Sequence, residues 1–107
     1  MTSPSASGAT ASFERLARRY TSDSRVSRGK MLRSEGLRVD GRFFAALVGE
    51  RLLVKLPRLR VDELIADGVG SPFESGKGRV MKEWVVISAK AAPRWPRFAD
   101  EALAFVR

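Results

Sequence analysis

At 107 residues the chain is long enough for one hydrophobic core and too short for two, and its 44% hydrophobic and 30% charged residues suit a soluble globular domain. It holds neither cysteine nor histidine, which excludes disulfides, thiolate nucleophiles, Cys-based zinc sites and the commonest general base. An enzyme, a metal site and a cofactor are therefore not expected. The formal charge of +8 lies wholly in residues 1–60, with thirteen basic and five acidic side chains against seven of each over 61–107. Such asymmetry attracts phosphate backbones or acidic partners.

The N-terminal stretch MTSPSASGATAS is small, polar and uncharged. It lacks the apolar run of a signal peptide, and no segment approaches the ~20 apolar residues of a membrane span, so a cytoplasmic protein with no membrane contact is expected. Residues 1–11 have almost nothing to bury and read as a disordered tail, with the folded domain over 12–107. Phe13, Leu16, Ala17 and Tyr20 fall at i, i+3, i+4 and i+7, one face of a helix that Ser12 can cap. Arg15, Arg18 and Arg19 lie off that face. Residues 21–30, TSDSRVSRGK, have loop composition.

Three strands are then predicted over about 36–40, 42–48 and 51–56, joined by two tight turns. Asp40-Gly41 suits a type I′ turn and Gly49-Glu50 a type II′ turn. Leu37 and Val39 face opposite to Arg38 and Asp40; Leu52, Val54 and Leu56 face opposite to Leu53 and Lys55. Strict alternation on the middle strand puts Phe43, Ala45 and Leu47 on one face and Phe44, Ala46 and Val48 on the other. Both its faces want cover, by helices and loops on the two sides or by a second subunit in an isologous homodimer.

Pro57 ends the third strand. Val61, Leu64 and Ile65 mark a helix over about 58–67 with Gly68 as its stop. Residues 69–79 are turn-rich with a short strand near Phe73, and residues 80–88, VMKEWVVIS, form a strand. Pro93 and Pro96 flank the start of a last helix with Phe98, Ala102 and Phe105 on its apolar face and Trp95, Leu103 and Val106 nearby. The order is α-βββ-α-β(β)-α, an α+β domain on an antiparallel sheet.

Several pieces fall in a characteristic order: Met31 ahead of Gly36, VDG at Val39 to Gly41, KLP at Lys55 to Pro57, Pro72-Phe73, and Met81 two residues before Glu83-Trp84. From Phe13 to Val106 the chain resembles the N-terminal domain of the TfoX/Sxy family. The resemblance implies a stand-alone domain with a two-layer α/β sandwich of α-β3-α-β2-α order. Full-length members regulate natural competence and carry a second domain; this chain covers the first, and it shows MLRS at 31–34 where many relatives have MFGG. The isolated domain brings no catalytic residues to carry over.

The strongest candidate contacts are Arg15, Arg18, Arg19, Arg25, Arg28, Lys30 and Arg33. Phosphate binding needs several cations converging on one surface, and an Arg-rich helix beside a Ser/Arg-rich loop supplies them. No nucleic-acid motif is visible beside them, and the bland alternative is a solvated basic face. Residues 70–78, GSPFESGKG, imitate a phosphate loop, but five residues separate its glycines, Gly78 stands where a hydroxyl belongs and a strand follows, so a hairpin loop accounts for it. Nothing places Glu74 and Glu83 in a common cleft for acid–base work. Trp84 and Trp95 read as core aromatics, with base-stacking platforms as the alternative. The expected function is a binding or regulatory module contacting nucleic acid or an acidic protein; the alternative is a dimerising protein-interaction or chaperone-like domain.

Overall fold

Both predicted turns form in the computed structural model, which describes residues 4–31, 34–76 and 78–107. Asp40 and Gly41 both have positive φ, at 52° and 82°, as a type I′ turn demands. Gly49 alone is positive in the second turn, at 63°, as type II′ demands. In chain order the elements are α1 (Pro4–Arg19), β1 (Val26–Met31), β2 (Ser34–Val39), β3 (Arg42–Val48), β4 (Arg51–Lys55), α2 (Arg58–Ala66), β5 (Gly70–Ser75), β6 (Arg79–Ile87), a 3₁₀ turn (Ala89–Arg94) and α3 (Trp95–Val106). The chain is α+β, with an antiparallel sheet in the order β1-β2-β3-β4-β6-β5.

Two expectations are corrected at the N-terminal end. The disordered tail over 1–11 is replaced in residues 4–11 by helix, because α1 begins at Pro4 and buries Ala9 one turn ahead of Phe13. Residues 1–3 lie outside the described residues. The loop over 21–30 gives way to β1 from Val26 onward, which pairs with β2 from Val26↔Val39 to Met31↔Ser34. Its composition is loop-like because it is an edge strand. Charges on such an edge discourage pairing with other chains, and here Arg28 and Lys30 reach back to Glu35 of β2.

The helices share one cluster with one face of the sheet. Phe13, Leu16 and Tyr20 of α1, Val61 and Leu64 of α2, and Trp95, Phe98 and Ala102 of α3 meet Leu37, Val39, Phe44, Leu52, Val54, Val85 and Ile87. The Tyr20 and Phe44 rings meet edge to face at 5.7 Å. Gly68 (φ 75°) closes α2 as predicted: its N–H bonds to the Ile65 carbonyl and the Val69 N–H to that of Leu64, the paired bonds of a Schellman cap. The buried stripe of α3 is Trp95, Phe98, Ala99, Ala102, Leu103 and Val106. Phe105, expected on that stripe, is instead exposed.

A bulge changes the middle strand. Leu37 pairs with Ala45 but Arg38 pairs with Phe43, so Phe44 is an extra residue on β3. Phe44, Ala45 and Leu47 therefore face the helices, while Phe43, Ala46 and Val48 face away. The predicted grouping of Phe43 with Ala45 and Leu47 is overturned by that one residue.

Candidate binding face

Most of the predicted basic set is taken up by carboxylates among the described residues. Arg19 donates to both carboxylate oxygens of Asp100, at 3.2 and 2.6 Å, tying the end of α1 to α3. Arg25 grips Asp40 of the first turn through Nε and Nη2. Arg28 forms a fork on Glu14 of α1, at 2.9 and 2.8 Å, and also reaches Glu35, which Lys30 shares. Four of the seven thus hold carboxylates. Arg33 lies outside the described residues, as does Lys77 of the glycine-rich stretch. Arg15 and Arg18 have no carboxylate partner among the described residues, but they flank different hollows. Arg15 lines one with Pro93 and Pro96; Arg18 lines another with Val26 and Ser27.

The pairings act on the ionisation of their members. Arg19 beside Asp100 holds that carboxyl below its ordinary range. Arg28 does the same for Glu14, Lys30 for Glu35, and Arg25 for Asp40. The Tyr20 hydroxyl donates to Asp100 at 2.6 Å. Burial first, then that hydrogen bond, pushes the phenol well above its ordinary value. These are staples between α1, the sheet edge and α3; their cations are already engaged.

The sheet face turned away from the helices is the larger surprise. Ala46, Leu53, Trp84 and Val86 form a second apolar cluster there, with Met31, Phe43, Val48, Phe73 and Met81 packed against them. No described helix packs among these residues. Side chains on the face cover one another instead, leaving two adjoining hollows that share Met31 and Phe43. The larger, of about 540 Å³, is floored by Ala46, Val48 and Leu53 and walled by Phe73 and Met81. The smaller, of about 460 Å³, runs past Trp84, Lys55 and Arg42 to Phe105 at the end of α3.

Glycines on the flanking strands make room for this arrangement. A Cβ on Gly36 would stand 2.7 Å from Phe43 Cε1, and one on Gly29 would stand 2.9 Å from the Arg38 guanidinium carbon. Phe43 and Arg38 therefore lie down over β2 and β1, with the guanidinium 5.6 Å from the Phe43 ring centroid. Arg38 Nη2 donates to the Arg28 carbonyl at 3.0 Å; its buried Nε has no partner among the described residues. Lys55 stands 5.8 Å from the Trp84 ring centroid and 4.0 Å from the Glu83 carboxylate. Arg51, two residues before Leu53, shares this face by strand alternation.

Glu74 lines the larger hollow and Glu83 the smaller. Trp95 is fully buried and donates its indole N–H to the Ser88 carbonyl, a core role. Trp84 is 9% exposed, edge-buried within the open face. Among the described residues no cluster of acids could hold a metal ion, and no helix is long and apolar enough to cross a membrane.

The sequence flagged a doubly apolar middle strand but not this surface. Its floor was visible as Ala46, Val48 and Leu53. Phe43 was hidden by the bulge, and Met31 and Met81 carried no periodic signal. No protein-family model matches the chain, and no curated protein matches it.

Proposed function

We propose that this chain is a non-catalytic binding module whose working surface is the open face of its sheet, acting in protein–protein contact. One observation carries this: an apolar cluster on the sheet face opposite the helices, with charged side chains at its border and hollowed rather than filled. A contiguous apolar surface with a polar rim marks an interaction site. Its methionines suit a partner surface that must adapt. The absence of histidine and cysteine from the sequence supports a role in binding rather than catalysis. Within this proposal the chain holds a domain of TfoX N-terminal type, supported by the order of its sequence pieces and by helices packed on one face of an antiparallel sheet.

The test is binding of a solvatochromic naphthalene-sulfonate dye to the folded protein. The native chain binds dye; Met81→Asp, in the wall of the larger hollow, binds far less; Leu59→Asp, on the exposed side of α2, binds as native does. Equal dye binding by all three proteins contradicts the proposal.

A second reading is contact with nucleic acid through α1, favoured by Arg15 and Arg18, which hold no carboxylate among the described residues. Affinity for duplex DNA that falls with salt, and is lost on joint Arg15→Glu and Arg18→Glu substitution, supports it. Salt-independent affinity, or none at low salt, removes it.

A further inference from the structure

We infer that the open sheet face takes an acidic amphipathic helix from a partner protein, with its apolar side chains in the larger hollow and its carboxylates on the rim. The inference rests on the open-face proposal and names the occupant.

Charge identifies the partner's chemistry. Arg38, Arg51 and Lys55 stand on the open face, Arg42 reaches the smaller hollow from the helix side of β3, and Lys30, paired with Glu35, lines the larger hollow with Glu74, while Glu83 lines the smaller. Unlike Arg19, Arg25 and Arg28, each paired with a carboxylate, Arg38, Arg42 and Lys55 are weakly engaged. Among the described residues Arg38 donates from Nη2 to the Arg28 carbonyl, Arg42 reaches the Val106 carbonyl at 3.5 Å, and Lys55 stays 4.0 Å from Glu83, with no close carboxylate for Arg38 or Arg42. Carboxylates on an incoming helix would find charge-assisted donors already positioned.

Shape identifies the form. The hollow, of about 540 Å³, is lined mostly by apolar side chains, and an amphipathic helix fills such a site with side chains spaced i, i+3, i+4 and i+7. Met31 and Met81 line it and can re-pack around those side chains.

The same observations disfavour the other occupants. A second copy would bring an equally cationic rim against this one, between two chains each of formal charge +8. Single-stranded nucleic acid needs open aromatic faces; Trp84 is 9% exposed, and the Phe43 ring already carries Arg38.

The probe is a synthetic helix of about 16 residues, Leu and Phe on one face and Glu elsewhere, titrated while the emission of Trp84 is followed. A peptide of the same composition in scrambled order, an oligo-dT strand and sedimentation of the protein alone complete the set. The expected result is saturable binding of the amphipathic peptide with a change in emission. Joint Arg42→Glu and Lys55→Glu substitution weakens it about tenfold, two charge reversals at an exposed rim. Met81→Asp abolishes it, and Leu59→Asp leaves it unchanged. Equal affinity for the scrambled peptide, or no binding at low salt, overturns the inference. Self-association or oligo-dT binding that Met81→Asp removes, without peptide binding, overturns the acidic occupant but leaves the open-face proposal standing. If Met81→Asp alters nothing in any arm, both fall.

Discussion

The Phe43 ring lies against Gly36, so close that a Cβ on Gly36 would stand 2.7 Å from Phe43 Cε1. That contact exists because the bulge at Phe44 turns Phe43 out of the core and onto the open face. Two adjacent phenylalanines thereby acquire opposite roles. Phe44→Ala empties a fully buried site and is expected to cost about 3–5 kcal/mol. Phe43→Ala truncates a half-buried ring and is expected to cost about 1 kcal/mol. Urea unfolding of both variants measures the contrast; equal losses would mean that Phe43 is core.

Gly36→Ala should act on the surface rather than the fold. The ring is the end of a side chain that can swing, so the Cβ displaces it at small cost in stability. Dye binding to the open face should change, since Phe43 walls both hollows. Unaltered dye binding with lowered stability would show that the ring cannot move.

Asp100 joins Arg19 and Tyr20, and its effect on stability has a definite sign with pH. Its folded pKa is depressed, chiefly by the Arg19 hydrogen bond, so its contribution is complete above the ordinary carboxylate pKa and is lost as pH falls through the folded value. Asp100→Asn should cost about 1 kcal/mol at neutral pH, discounted for half-exposed partners, and the gap to native should close as pH falls below the ordinary carboxylate range. For Tyr20 the folded pKa is raised, by burial first, so its contribution is held below about pH 10 and lost as pH rises further. Denaturant titrations across pH check both; a gap constant from neutral to acid would rule out the Asp100 pairing.

Gly68 closes α2 with φ at 75°. An alanine there meets no neighbour within 4 Å, so only backbone strain opposes it. Gly68→Ala should lose about 1 kcal/mol and lower the Tm by about 4–8 °C. No change in Tm would mean that the cap relaxes.

Much of the fold was legible because local chemistry and tertiary packing agree. Asp40-Gly41 names its turn, and Phe13, Leu16, Ala17 and Tyr20 name their buried face. What escaped was decided by partners distant in sequence. Val26 to Met31 looks like loop until β2 pairs with it, and residues ahead of Ser12 look unstructured until Ala9 finds the core. The arginines were visible as a charge excess, but their use as clamps depends on Glu14, Asp40 and Asp100 arriving from elsewhere. The open face needed the bulge, which leaves no mark in the alternation of 43–48.

The most direct measurement is backbone amide chemical-shift mapping by NMR as the acidic amphipathic peptide is added. The open-face account predicts shifts concentrated at Phe43, Ala46, Leu53, Trp84 and Val86, with α1 unmoved. Shifts centred on Arg15 and Arg18, with the sheet unmoved, would contradict it.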